Sequence, residues 1–227
     1  MTIRISIIIP ALNEAKCIEQ TLKPLQPLRN EGHEVILSDG GSKDETLNLA
    51  RPMVDLIVSS PQGRATQMNH GADSASGEIL WFLHADTLIS DDIHTRLMTG
   101  LSATNTVWGR FNVRLTGTQR IFRLIEGMMN LRSCISGIAT GDQGIFMWQH
   151  VFREIGGFDE IPLMEDIALS RKLKGLSRPL CLKQKLITSS RRWEEQGIFN
   201  TIILMWKLRL SYYFGTSPKK LAERYNS

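Results

Sequence analysis

Cysteine is scarce in this sequence of 227 residues, which contains only Cys17, Cys134 and Cys181. Three widely spaced cysteines provide no disulfide framework and no Cys-x-x-Cys pair for zinc, which fits a reducing compartment. Long hydrophobic runs are missing as well. The run at Ile5–Pro10 is too short for a signal peptide, and the run at Ile198–Trp206 is far shorter than the roughly 20 residues of a membrane-spanning helix. We therefore expect a cytoplasmic protein, with attachment to the inner face of a membrane as an alternative.

The net charge is small, but its distribution is uneven. The chain has 27 basic and 23 acidic side chains and a formal charge of +4. Residues 1–100 hold 8 basic and 13 acidic side chains, whereas residues 101–227 hold 19 and 10. The acidic front half and the basic rear half indicate that the rear half handles anions. No linker rich in Pro, Gly or Ser separates the halves, so we predict a single domain over residues 1–227.

Short β-rich runs alternate with helical stretches over the first 90 residues. The predicted strands there are Arg4–Ile9, Glu34–Ser38, Leu56–Ser59 and Glu78–Leu83, and the predicted helices are Asn13–Leu25, Glu45–Ala50 and Arg64–Ala75. The later predictions are helices at Asp91–Ala103, Ile121–Ile135 and Glu165–Lys174 and strands at Val107–Leu115, Gly144–Trp148 and Lys185–Ser190. Because strands that are apolar throughout are buried on both faces, we predict an α/β fold with a central, mostly parallel sheet and helices on both faces.

Polar side chains follow three of the predicted strands directly. Asn13 and Glu14 follow the first strand, Asp39 follows the second, and His84 and Asp86 follow the fourth. In open parallel sheets, ligands bind beyond the carboxyl ends of the strands. We therefore expect a binding site at this edge of the sheet.

The segment Asp39–Asp44 forms a predicted turn into a helix. Its glycines allow a positive φ and the close approach of a ligand, and Asp39 can accept hydrogen bonds from a base or a ribose. A simple βα turn with a helix cap would use the same residues, so that alternative stays open. The chain lacks both the Gly-x-Gly-x-x-Gly pattern of dinucleotide sites and the Walker pattern.

Asp86 lies two residues after His84 at the end of a buried strand. A divalent cation that bridges phosphate oxygens needs only one or two protein ligands, and Asp86 suits that role, with His84 as a second or outer group. Imidazole suits Mn²⁺ better than Mg²⁺. The alternative is an Asp helix cap next to a loop histidine.

Two further groups have both a structural and a chemical interpretation. Glu165 and Asp166 begin a helix, where acids favour the helix dipole, but Asp166 could also be a general base that deprotonates a hydroxyl. Arg64 begins another helix, and the segment Arg191–Trp193 follows a strand. These basic residues either bind a diphosphate, with the indole stacked on a ring, or are solvated.

Taken together, these segments resemble the family 2 glycosyltransferases, which have the GT-A fold and use nucleotide-diphosphate sugars. The matching segments occur in the family's order and spacing over residues 3–175, and they are Ser6–Glu14, Asp39–Asp44, Arg64–Gly71, Phe82–Asp86 and Met164–Asp166. His84-Ala85-Asp86 and Ser190–Trp193 look most like a small bacterial subgroup.

The resemblance implies a GT-A fold, inversion at the anomeric carbon, a Mn²⁺ or Mg²⁺ cofactor, a nucleotide-sugar donor and a hydroxyl acceptor. It implies a nucleotide-binding half at 1–90, an acceptor and catalytic half at 91–195, and a C-terminal helix and tail at 196–227. By position, Asp166 would be the catalytic base, and Asp86 with His84 would bind the metal. The implied nucleotide-sugar contacts are Pro10, Ala11, Asn13, Glu14, Asp39, Gly40, Arg64, Asn69, Ala85, Glu165, Arg192 and Trp193.

Two departures from the family pattern leave alternatives open. His84 replaces the first acid of the usual Asp-x-Asp motif, which bears on metal preference, and Gly40 replaces a second acid near the nucleotide. A sugar nucleotidyltransferase would need a Gly-rich loop after the first strand, and the segment at Pro10–Glu14 has none. A non-catalytic nucleotide-binding or scaffold protein of the same fold is the other alternative. The basic residues form no recognised nucleic-acid module, so we expect no nucleic-acid partner.

The rear helix predicted at Ile198–Phe214 combines aromatic residues with Lys207 and Arg209. Such a helix either lies in a membrane interface, as for a lipid-linked acceptor, or packs against the sheet. Peripheral membrane contact and a homodimer are therefore both expectations that the sequence leaves open.

Overall fold

The computed structural model describes residues 3–90 and 93–226, and the side chains of Arg192, Glu195 and Asn226 lie outside the description. Its sheet has seven strands in the order β3-β2-β1-β4-β6-β5-β7. They are β1 Ile5–Ala11, β2 Glu34–Asp39, β3 Leu56–Ser59, β4 Ile79–Phe82, β5 Trp108–Leu115, β6 Phe146–Trp148 and β7 Leu180–Thr188. Strand β6 runs antiparallel to both of its neighbours, and the other strand pairs are parallel.

Helices connect the strands and complete the C-terminal region. They are α1 Ile18–Leu22, α2 Gln26–Asn30, α3 Thr46–Ala50, α4 Arg64–Asp73, α5 Ile93–Ser102, α6 Arg120–Ser136, α7 Gln149–Glu154, α8 Glu165–Lys174, α9 Arg191–Glu195, α10 Ile198–Tyr213 and α11 Pro218–Asn226. Short 3₁₀ turns lie at Lys23–Leu25, Arg51–Met53 and Gly141–Gln143. The first two residues of the helix predicted at Asp91–Ala103 fall outside the described residues.

The sheet has an apolar layer on each face. Alternate side chains of β1 point to opposite faces, so Ile7 packs with Leu22 of α1 on one face, and Ile8 packs with Met68 of α4 on the other. The second layer also contains Leu169 of α8. The predicted mostly parallel sheet with helices on both faces is therefore confirmed.

Helix α4 approaches β1 closely because Gly71 has no side chain. A Cβ at this position would lie 2.5 Å from Ile8 Cγ2. We expect Gly71→Ala to lower the free energy of unfolding by about 1–3 kcal/mol, measured by urea denaturation. Gly127 of α6 has no atom within 4 Å of such a Cβ, so Gly127→Ala should raise stability by about 0.5–1 kcal/mol. Equal effects of the two substitutions would contradict this role of Gly71.

Several element boundaries differ from the sequence predictions. The helix predicted from Asn13 begins only at Ile18, because Asn13 has a φ of 56° and its backbone joins the loop after β1. The last strand begins at Leu180 rather than Lys185, and its pairing with β5 shifts register between Phe111 and Asn112. An irregular strand of this kind breaks the alternation by which a strand is recognised in sequence.

Two of the three cysteines are close together in the fold. The structure joins Cys134 of α6 to Cys181 of β7 in a disulfide, with Cα atoms 6.0 Å apart across 47 residues of sequence. Cys17 stays free. The absence of a disulfide framework in the sequence therefore does not predict this single pair, because the fold brings together positions whose spacing carries no pairing signal.

Helix α10 forms where the sequence predicts a rear helix. Leu208 of α10 packs against Met164 and Ile167 at the start of α8, together with Leu221 of α11. One side of α10 is thus fixed to the body of the protein. None of the described helices combines the length and the apolar character needed to cross a bilayer.

Candidate active site

The loops after β1 and β2 hold each other in place through side-chain hydrogen bonds. Asn13 N–H donates to Ser42 Oγ at 2.9 Å, and Lys43 N–H donates to Asn13 Oδ1 at 2.8 Å. Glu14 N–H donates to Thr46 Oγ1 at 2.7 Å. These bonds explain the left-handed conformation of Asn13, since both its backbone and its side chain form hydrogen bonds to the loop after β2.

Asp39 ends β2 and is 5% exposed. Its carboxylate accepts hydrogen bonds from Gly41 N–H at 2.9 Å and from Ser42 N–H at 3.1 Å. The Asp39 carboxylate therefore stabilises the turn after β2, as the structural alternative predicts. A base or ribose would form hydrogen bonds in addition to these. Gly40 lies against Gln67, whose Nε2 donates to Ala11 O at 2.7 Å, so the two strand ends and α4 form one rigid floor.

His84 and Asp86, at the end of β4, line different cavities. Asp86 borders a cavity of about 170 Å³ together with Cys17, Thr116 and Arg191. His84 borders a cavity of about 10 Å³ that also reaches Arg64, Gly141, Glu165 and Asp166. The turn between them closes with a bond from Thr87 N–H to His84 O. The two predicted metal ligands thus face neighbouring cavities on either side of Ala85.

The electrostatics around Asp86 favour a cation. Partial burial raises the pKa of the Asp86 carboxyl, and the nearby Glu14 carboxylate raises it further, whereas Arg64 and Arg191 act in the opposite direction. A divalent cation would relieve both the burial of the carboxylate charge and its repulsion by Glu14. The oxygen donors are of the type that Mg²⁺ and Mn²⁺ prefer.

His84 is a neutral imidazole with an unused ring nitrogen. Burial lowers its pKa to about 3, with a further contribution from Arg64. Its Nε2 atom is buried and lacks a hydrogen-bond partner among the described residues. A Cβ on Gly141 would collide with this nitrogen. The ring is therefore available as an acceptor or as a metal ligand, next to the backbone of Gly141.

Helix α8 places two acids at the inner edge of the same small cavity. Met164, with a φ of 72°, precedes the helix and lets it begin abruptly at Glu165. Glu165 is 4% exposed and pairs with Arg64 at 3.4 Å, and burial together with Asp166 raises the pKa of its carboxyl. Asp166 is partly exposed and accepts hydrogen bonds from Gly141 N–H at 3.0 Å and Ile167 N–H at 2.7 Å. Its carboxylate is oriented by backbone and retains lone pairs for a proton.

Two predicted contact residues have structural partners. Asn69 exchanges hydrogen bonds with the backbone of Phe158, each at 2.9 Å, which ties α4 to the loop before α8. Trp193 packs against Phe122 and Ile125 of α6. The predicted contact through the side chain of Arg192 lies outside the described residues, whereas Arg191 lines the cavity of Asp86.

Gly141 and Asp142 lie in the turn before β6 and are not among the site residues predicted from the sequence. Gly141 bonds to Asp166, as described above. Burial raises the pKa of Asp142, and its Oδ1 atom has no hydrogen-bond partner among the described residues. Thr140 and Gln143 form a capping box around this turn, and the pattern Thr140-x-x-Gln143 is the sequence signal that could have predicted the turn.

A separate three-residue group has the composition of a metal site but lies before β2, at the other end of the strands. Glu31, His33 and His94 place one ligand atom each within 4.8 Å of one another. Each histidine already has a partner, because His94 Nε2 lies 2.8 Å from Glu31 Oε2 and His33 Nδ1 accepts Ile5 N–H at 3.2 Å. These bonds hold the three side chains together, whereas His94 Nδ1 is buried without a hydrogen-bond partner among the described residues.

The comparison with protein families agrees with the resemblance seen in the sequence. The family described as glycosyl transferase family 2 matches residues 6–155. An uncharacterized glycosyltransferase of Mycobacterium tuberculosis, MT1564, is 32% identical over 165 residues, which are 68% of this chain and 62% of the relative. The chain therefore spans less than two thirds of that relative's length.

Solved structures share the fold. The mannosyltransferase PcManGT from Pyrobaculum calidifontis, solved with GDP-Man and Mn²⁺, has a TM-score of 0.67 and 19% identity, and the match covers 99% of this chain and 69% of that chain. Staphylococcus aureus TarS 1–349 in complex with UDP-GlcNAc has a TM-score of 0.65 and 18% identity, with 82% and 58% covered. The predicted GT-A fold is confirmed.

Proposed function

Because the chain belongs to glycosyl transferase family 2, we propose that it transfers a sugar from a nucleotide-diphosphate sugar to a hydroxyl acceptor, with inversion at the anomeric carbon. One observation carries the proposal. The segment His84–Asp86, which follows β4, borders two cavities: Asp86 lines one, and His84 lines the other together with Asp166 at the start of α8. In an inverting transfer, the hydroxyl attacks the sugar from the side opposite the leaving diphosphate. Asp86 would act on the diphosphate side, and Asp166 on the hydroxyl side.

Asp86 belongs to the leaving-group side. A Mn²⁺ or Mg²⁺ ion, when bound, would neutralise the negative charge that grows on the diphosphate. Asp86 would hold it, and Glu14, whose charge acts on Asp86, is a further oxygen donor. The unused nitrogen of His84 faces the other cavity. Arg191 shares the cavity of Asp86 and would contact the phosphate oxygens. The structure of PcManGT with GDP-Man and Mn²⁺ supports the use of a metal in this fold.

Asp166 belongs to the acceptor side, where it would act as the general base. The acceptor oxygen forms a bond to the anomeric carbon while the bond from that carbon to the phosphate oxygen breaks. Asp166 takes the hydroxyl proton, and the nucleoside diphosphate leaves with the electron pair. Gly141 N–H and Ile167 N–H fix the orientation of the carboxylate. One base and one stabilised leaving group suffice, whereas a glycosidase needs a second carboxyl as acid.

The floor formed by β1, β2 and α4 would receive the nucleoside. Asp39 would contact the base, next to Gly40, and the backbone at Pro10 and Ala11 would border the ring, with Asn13 and Glu14 at its rim. Arg64, Ala85 and Glu165 would face the sugar-diphosphate, and Asn69 and Trp193 would support this surface through their packing.

A panel of UDP-, GDP- and dTDP-sugars with Mn²⁺ or Mg²⁺ tests the proposal. We expect one nucleotide series to raise the melting temperature by several degrees only when a metal is present, because ligand binding to the folded state alone stabilises it. The same series should undergo slow donor hydrolysis. If no donor and metal pair gives a thermal shift or hydrolysis, the non-catalytic scaffold alternative is favoured instead.

A further inference from the structure

Helix α6 exposes a continuous apolar stripe. Leu124, Met128, Leu131 and Ile135 are 62%, 54%, 63% and 71% exposed. Their spacing of four, three and four residues keeps them on one side of an α-helix, opposite the side that packs through Phe122 onto the body of the protein. A surface helix normally buries its apolar side, whereas α6 exposes this apolar stripe to solvent.

Helix α10 exposes a second stripe of the same kind. Its members share one helix face at the same spacing, and they are Phe199, Ile203, Trp206, Leu210 and Tyr213, with exposures from 52% to 73%. Leu208 lies on the opposite side and is 2% exposed. One side of α10 therefore packs against the body of the protein, and the opposite side is also apolar but exposed.

The two stripes belong to one surface. Ile198 and Ile202 of α10 pack with Ile125 and Met129 of α6 in a shared cluster, so the first two turns of α10 lie against α6. Nine of the twelve exposed large hydrophobic residues in the described chain lie on these two helices. We call this surface, made of the two stripes, the α6–α10 surface. Contiguous exposed apolar area of this extent marks an interaction site.

The charge around the α6–α10 surface is almost entirely positive. At about 100° per residue, Lys207 and Arg209 each lie about 80° from the centre of the α10 stripe, on opposite sides of it. Residues 196–227 contain five basic side chains and one acidic side chain. Lys219 and Lys220 of α11 are exposed, and so is Arg120 at the start of α6. Basic residues that border an apolar helix face are typical of helices in a lipid interface, where their long side chains reach the headgroups.

We propose that the α6–α10 surface docks the protein on an anionic lipid bilayer, with the two stripes in the acyl boundary and the basic residues at the headgroups. A second copy of the chain fits the surface less well, because a two-fold pairing would bring the same basic residues of both copies together. The surface adjoins the proposed catalytic helix, since α10 packs on the start of α8 and Tyr212 lies under the Arg171 guanidinium at 4.9 Å. Docking does not depend on the proposed sugar transfer.

Vesicle flotation of the full chain tests the proposal without any activity measurement. With vesicles of phosphatidylcholine that contain a quarter phosphatidylserine, we expect the protein to float at low salt, and to bind pure phosphatidylcholine vesicles much less. The double variant Leu131→Ser, Trp206→Ser should lose about tenfold or more of the vesicle-bound fraction. Leu176→Ser, at an exposed apolar residue outside the surface, is the matched control and should bind as the unmodified chain does.

Three results would overturn the proposal. They are absence of flotation on the anionic vesicles, equal flotation of the double variant, and a lipid-free dimer by light scattering that the double variant abolishes, which would assign the surface to a second copy. The unfolding temperature of each variant separates loss of docking from loss of folding. If the double variant does not fold, Phe199→Ser with Leu210→Ser tests the α10 stripe in the same way.

Discussion

Replacement of Asp166 by Asn should lower kcat for sugar transfer by about 10²-fold or more, because a general base typically contributes 10²–10⁴-fold. The amide retains the shape of the side chain and can still accept one backbone N–H bond, but it cannot take a proton at neutral pH. Nucleotide binding in the presence of metal should remain, since Asp166 lies on the acceptor side. Rates with the identified donor and a thermal shift with its nucleoside diphosphate measure the two effects separately.

Asp159 offers a matched control for this substitution. It lies on the loop before α8 and pairs with Lys172 at 2.6 Å on the exposed side. Asp159→Asn should leave turnover near that of the unmodified enzyme, because an exposed ion pair contributes little to stability and this one is outside both cavities. Turnover of Asp166→Asn at the level of this control would refute the assignment of the base.

The second large effect is expected at Asp86. Asp86→Asn should reduce transfer by about 10²–10³-fold, the range lost when one group that stabilises developing charge is removed. The cause differs from that at Asp166. Loss of the carboxylate should weaken metal binding, so the remaining activity should require a higher Mn²⁺ concentration, and the metal-dependent thermal shift with nucleotide should shrink.

Asp73, exposed at the end of α4, provides the corresponding control. Asp73→Asn should keep both the rate and the Mn²⁺ dependence. An Asp86→Asn enzyme with an unchanged Mn²⁺ titration would show that the metal binds elsewhere. The contrast between a metal-sensitive and a metal-insensitive loss distinguishes the roles proposed for Asp86 and Asp166.

Local sequence pattern predicts the front half of the fold well, and there is a physical reason. Strands β1, β2 and β4 are buried on both faces, so burial selects apolar residues at every position, and the run itself marks the strand. The helix α7 at Gln149–Glu154 goes unpredicted because its six residues are too few to display a helical period. The disulfide between Cys134 and Cys181 depends on the approach of α6 and β7, which no local pattern encodes.

Some residues of the candidate site can likewise be predicted from local sequence pattern, and others cannot. Residues at strand ends, such as Asp39 and Asp86, can be predicted because the topology of a parallel sheet brings them to one edge. The separate orientation of His84 and Asp86 depends on a tight turn whose geometry their spacing does not express. Asp142 is missed because its burial results from packing between distant segments.

The contact between Gly141 and His84 makes two distant positions energetically dependent on each other. The Gly141 N–H holds Asp166, and any side chain at position 141 would enter the space of the His84 ring. Substitutions at 84 and 141 should therefore be strongly non-additive, since a smaller residue at 84 makes room for a larger one at 141. The orientation of the proposed base thus depends on the fit between the loop after β4 and the turn before β6, and position 141 can gain a side chain only when the residue at 84 becomes smaller.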